Sequence, residues 1–120
     1  MERISFISQG GKKIIYMDFS GLREFKDINP IIESSKEYIR AQAENSAFTL
    51  TNMDGMHFNS DIKNAFSSFI GDNKPYVKAG AVIGLSGLLR IIYNGVNRLT
   101  GRDIKSFDTK EEAVEWLVSK

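Results

Sequence analysis

Tyr76-Val77-Lys78-Ala79-Gly80-Ala81-Val82-Ile83-Gly84 decides the fold. Eight of its nine residues are apolar or glycine, with Lys78 the exception. A run this short and this apolar is what a central strand covered on both faces looks like. The elements on either side repeat a strand-then-helix rhythm. Upstream, residues 48–53 form a strand that ends at Asp54-Gly55. Asn59 or Ser60 then caps a helix whose apolar set is Ile62, Ala65, Phe66, Phe69 and Ile70. Gly71 is placed to end that helix in a left-handed conformation.

Further back, residues 4–8 and 14–19 flank Gln9-Gly10-Gly11-Lys12, which reads as a hairpin turn. Ile15, Met17 and Phe19 alternate onto one face of the second strand. Asn29-Pro30 supplies a cap and a proline at the first helical position, and about three turns of helix follow. Downstream of the central strand, a third helix is expected over residues 85–99, then a short strand over 105–108. Thr109-Lys110-Glu111-Glu112 is a capping box, with Phe107 placed to staple onto Ala113. Val114, Leu117 and Val118 line the inner face of the last helix. The order β-β-α-β-α-β-α-β-α predicts one α/β domain over residues 1–120. It has a sheet of about five mostly parallel strands, an N-terminal hairpin, four helices and helices on both faces.

Composition narrows the chemistry. The 120 residues are 42% hydrophobic and 26% charged, which is globular composition. There is no cysteine, so disulfides, thiolate zinc sites, cysteine nucleophiles and iron–sulfur clusters are excluded. With one histidine, His57, a two-histidine metal site within one chain is excluded too. No apolar run approaches the ~20 residues of a membrane span. Met1-Glu2-Arg3-Ile4-Ser5 lacks a secretory apolar segment, and the expected location is cytoplasmic. A net charge of +1 is too small for a general nucleic-acid binder. Between Lys74 and Lys105, however, six basic residues face Asp103 alone, a local excess that attracts phosphate, an acidic partner or lipid headgroups unless acids elsewhere in the fold pair with it.

Several words of the sequence, taken together, carry a family likeness. They are Asp18-Phe19-Ser20-Gly21-Leu22 after the second strand, Leu50-Thr51-Asn52-Met53-Asp54-Gly55 in the third, and the stretch from Lys74 to Gly84 through the fourth. Gly101-Arg102, Phe107 to Ala113 and Trp116-Leu117 complete the set. With the element order, they resemble STAS domains, the fold shared by anti-sigma-factor antagonists and the cytoplasmic tails of sulphate transporters. More narrowly the chain resembles small bacterial stand-alone proteins of the STAS/CRAL-TRIO-like group. The resemblance implies a non-enzymatic module that works by docking protein partners. It also implies a phosphorylated serine at the start of the helix after the third strand, for which Ser60 is the nearest position. Asn59-Ser60 is followed here by Asp61 rather than by small residues, which departs from the antagonist motif and would repel an added phosphate. Ser60 therefore reads first as a helix cap and second as a phosphorylation switch.

Asp18 and Asp54 lie near strand ends that should converge, and His57 follows in a loop at the carboxyl edge of the sheet, where open α/β folds bind ligands. With no accompanying nucleophile they read as turn and surface residues, and no catalytic residue is expected. Gly84-Leu85-Ser86-Gly87 offers backbone N–H groups to an anion, although tight strand-to-helix packing also accounts for its glycines. No metal or cofactor is expected. In the third helix, Leu85, Leu88, Leu89, Ile92, Val96 and Leu99 form the stripe expected to face the sheet. Ile91 and Tyr93 widen that apolar sweep to about 200°, more than packing on one sheet requires. Arg90, Asn94, Asn97 and Arg98 fill the rest. Packing against a neighbouring helix accounts for the surplus. So does a docking surface, for a second copy in a homodimer or for another protein, centred on Leu88, Arg90, Ile91, Ile92, Tyr93 and Arg98. A small apolar or amphipathic, lipid-like ligand is the alternative occupant.

Overall fold

A computed structural model of the chain describes residues 3–57, 59–85 and 104–120. Gly10 and Gly11 both take positive φ, 59° and 77°, the type I′ pattern whose twist matches a two-residue hairpin. They join β1 (Ile4–Gln9) to β2 (Lys12–Asp18), which pair antiparallel from Ile4 opposite Met17 to Gln9 opposite Lys12. β3 (Ala47–Asn52), β4 (Val77–Ile83) and β5 (Ile104–Phe107) then add in parallel, giving a five-stranded sheet in the order β1-β2-β3-β4-β5. The expected α/β class with a mostly parallel sheet is what the chain adopts.

Strand parity divides the core in two. On one face Ile15, Met17, Phe19, Met53 and Val82 pack with α1 (Phe25–Arg40) and α2 (Ser60–Asn73), which supply Ile28, Ile32, Ile39, Ile62, Phe66, Phe69 and Ile70. On the other, Ile14, Leu50, Ala79, Ala81 and Ile83 pack with Ala113, Val114 and Leu117 of α3 (Lys110–Val118). The described residues thus hold three helices; the helix expected over residues 85–99 lies almost wholly outside them. β4 is buried along its length except at Lys78. The register slips there, Ala47 pairing with Val77 but Phe48 with Ala79. Lys78 is the extra residue of a bulge, which turns its charge out of a strand otherwise sealed on both faces.

Two helix boundaries differ from expectation. α1 begins at Phe25, with Pro30 inside it rather than at its first position. Phe25 packs against the core and Ile28 is buried, so starting the helix earlier puts both side chains on the face that holds Ile32 and Ile39. That burial, about 1.5–3 kcal/mol for a full side chain, offsets the hydrogen bond that an internal proline forfeits, a cost of ~3 kcal/mol. α2 runs past Gly71 to Asn73 and ends on Lys74 in right-handed conformation, whose N–H bonds the Gly71 carbonyl. Asn73 is buried and held against the core, and Tyr76 N–H bonds its carbonyl, so the chain turns there instead of at the glycine.

Candidate functional site

The carboxyl ends of β2, β3 and β4 lie side by side because those strands are parallel, so the segments leaving them meet at one edge. Backbone hydrogen bonds stitch these segments together. Phe19 N–H bonds the Asn52 carbonyl, Gly21 N–H the Asp54 carbonyl and His57 N–H the Leu22 carbonyl, each at 2.8 Å. Met53 N–H reaches the Ile83 carbonyl at 2.9 Å. Side chains reinforce the seam: Asn52 Oδ1 accepts from Asp54 N–H at 3.0 Å, while its Nδ2 donates to the Tyr16 hydroxyl at 3.0 Å. Arg3 ties in the amino-terminal strand by donating to the Ser20 carbonyl at 2.9 Å. Met53 and Met56 are buried beneath this edge, and Arg23, Asp54 and His57 stand exposed on it.

These exposed groups surround an open groove of about 500 Å³ lined by Arg23, Asp54, Gly55, Met56, His57, Gly84 and Leu85. Asp54 and His57 therefore share one groove, as their place at the strand ends suggests. Asp18 is not among its lining residues. Its carboxylate instead accepts from Ser20 N–H at 2.9 Å and lies 3.9 Å from Arg3, which closes the turn after β2. The three candidates thus do not converge: Asp18 lies outside the groove that Asp54 and His57 share. Among the described residues, no group of three or more histidine and acidic side chains is placed to hold a metal ion.

Ser60 needs a correction. The cap of α2 is Asn59, whose Oδ1 accepts from Ile62 N–H at 2.9 Å, and Ser60 is the first helical residue with an exposed side chain. An asparagine carbonyl reaches that N–H as readily as a serine hydroxyl does, and only one residue can hold the extended backbone a cap requires. Gly84 belongs to the platform as packing. It has φ +85°, and a Cβ added there would collide with the backbone of Asp54. The other anion-site residues, Ser86 and Gly87, lie outside the described residues, as do the docking residues Leu88, Arg90, Ile91, Ile92, Tyr93 and Arg98. Of the basic stretch, Lys74, Lys78 and Lys105 are described, and all three are exposed.

Arg23, Arg3 and Asn52 were not singled out by the sequence. Arg23 directly follows the Ser20-Gly21-Leu22 turn, which was a usable signal. Arg3 acts through Ser20, and Asn52 also through Tyr16, partners distant in the chain that nothing local marks.

Two solved structures superpose on this arrangement. One, from Shewanella loihica PV-4, is a DUF3478-family protein with a SpoIIAA-like fold, at TM-score 0.70 and 18% identity over 95% of this chain and 91% of that one. The other is an anti-sigma-factor antagonist (STAS) domain protein from Planctomyces limnophilus, at TM-score 0.62 and 15% identity over 95% of this chain and 97% of that one. This is a STAS fold. No protein-family model matches the chain, and no curated protein matches it. In the STAS frame, the stitched loops, the groove and the exposed start of α2 all lie at the carboxyl edge of the sheet. No helix among the described residues is long and apolar enough to cross a membrane.

Proposed function

We propose that this chain is a non-enzymatic regulatory module that docks a protein partner on its carboxyl-edge platform and on the helix expected after Leu85. The observation carrying this reading is the backbone stitching of the segments after β2, β3 and β4. Loops whose own polar groups are already paired lose little conformational freedom when a partner arrives, which is the condition for tight docking without reordering. The side chains left exposed around the groove are Arg23, Asp54 and His57, of both charge types, as in the polar rim of an interface. The anti-sigma-factor antagonist named above shares the fold and lends weight to a regulatory role. Ser60, exposed at the start of α2, is the residue whose phosphorylation would change docking on this platform.

The ligand-carrier alternative has less behind it. Among the described residues, the cavity lined by Met17, Met53, Phe66, Asn73 and their neighbours holds about 20 Å³, room for a water molecule and not for an acyl chain. The test is a photo-crosslinking residue placed at His57 and, as a control, at Glu44 in the loop at the opposite edge, each expressed in the source cells. A distinct polypeptide adduct at position 57 and none at 44 supports the reading. Equal adducts at both positions, or none at 57, contradict it.

A further inference from the structure

The free edge of β1 carries a second feature, remote from the platform. Among the described residues β1 ends the sheet. Asp18 N–H bonds the Arg3 carbonyl at 2.8 Å, so Arg3 and Asp18 form a hydrogen-bonded pair of the hairpin. Alternation along the ladder makes Ser5, Ile7 and Gln9 the next residues turned inward to β2. Ile4, Phe6 and Ser8 therefore point their N–H and C=O groups outward.

Natural edge strands are usually blunted by a lysine, a proline or a bulge. From Ile4 to Gln9 this strand has no charge and no proline, and its pairing with β2 is unbroken. The two exposed large hydrophobic residues among those described, Phe6 at 39% and Tyr38 at 43%, both sit here. Their rings meet edge-on with centroids 5.6 Å apart. Beside them a groove of about 340 Å³ runs between β1 and α1, lined by Arg3, Ile4, Pro30, Ile31, Glu37 and Tyr38 among others.

We infer that β1 pairs antiparallel with β1 of a second copy, about a twofold axis at Phe6 that is perpendicular to the sheet. The outward-facing set is symmetric about Phe6, so Phe6 faces its counterpart and Ile4 faces Ser8 of the other copy. Every outward group then meets an outward group, as an isologous contact requires. No like charges oppose each other along the strand. Both α1 helices fall on the same face, and the two Phe6–Tyr38 pairs close over the axis as one aromatic cluster. The flanking charges are complementary. Lys13 Nζ lies 4.2 Å from the centroid of its own Phe6 ring, and Glu37 lines the groove beside Tyr38. The twofold brings Lys13 of each copy towards Glu37 of the other. The resulting sheet is continuous across the dimer and leaves the carboxyl-edge platform untouched.

Sedimentation of the purified chain tests the dimer without any partner, so its outcome is independent of the docking proposal. The wild type is expected to show a concentration-dependent dimer. Lys13→Glu and Glu37→Lys should each weaken it about ten-fold or more, and the double swap should recover most of the loss, which a folding defect would not do. A register test uses the absence of native cysteine. Under mild oxidation Phe6→Cys should form a covalent dimer, because hydrogen-bonded opposite residues have Cα atoms ~5.5 Å apart, within disulfide reach. Ser8→Cys should not. A wild type that stays monomeric at about 0.5 mM protein overturns the inference. So does crosslinking of Ser8→Cys as fast as that of Phe6→Cys, or a double swap no tighter than the singles.

Discussion

Gly84 packs directly on the backbone of Asp54: a side chain begun at Gly84 would run into the Asp54 N and Cα, and would stand only 2.8 Å from its Cβ. This contact locks the end of β4 under the β3–α2 loop and so fixes the height of the groove floor. It requires both the missing Cβ and a φ of +85°, which side-chain-bearing residues rarely adopt.

Gly84→Ala is therefore expected to destabilise the fold by roughly 2–4 kcal/mol, combining left-handed backbone strain with a clash against backbone that cannot swing aside. Urea unfolding measures it. A loss under about 0.5 kcal/mol, the range of a neutral surface change, would show that the contact is not tight.

The start of α2 separates two adjacent residues. Asn59→Ala should cost about 1 kcal/mol, because the Ile62 N–H loses its acceptor. Ser60→Ala, at an exposed first helical position, should change stability by less than about 0.5 kcal/mol. Thermal unfolding of the two variants side by side reads the difference, and equal losses would contradict the assignment of the cap.

Ser35 is fully buried in α1, and its hydroxyl has no hydrogen-bond partner among the described residues. Ser35→Ala removes a buried unsatisfied group and adds the best helix former, so stability should rise by about 1 kcal/mol. A fall of the unfolding midpoint in the variant would mean that the hydroxyl is satisfied in solution.

The α/β class and the opening hairpin were legible because period-two alternation in β2 and the apolar run of β4 are local signals, and the turn at Gly10-Gly11 fixes its own register. The start of α1 was not legible. Asn29-Pro30 is a good local start signal, and only the burial of Ile28 and the packing of Phe25, both tertiary, override it. The end of α2 was missed in the same way: Gly71 permits a left-handed stop, but the buried side chain of Asn73 carries the helix further. At the candidate site, Asp54 and His57 were placed together by their position after β3. Asp18 was legible as a turn residue, since its carboxylate accepts from an N–H two residues on; its approach to Arg3, fifteen residues away, left no local signal.

The central claim is that the carboxyl-edge platform holds the partner. Once the polypeptide crosslinked at position 57 is isolated, its affinity can be measured by titration calorimetry for the wild type and for the double variant Arg23→Glu, His57→Glu. Both residues are exposed, so the fold should be unchanged by circular dichroism. The account predicts a loss of at least ten-fold, about 1.4 kcal/mol, in the double variant. Equal affinity for the two proteins would contradict it.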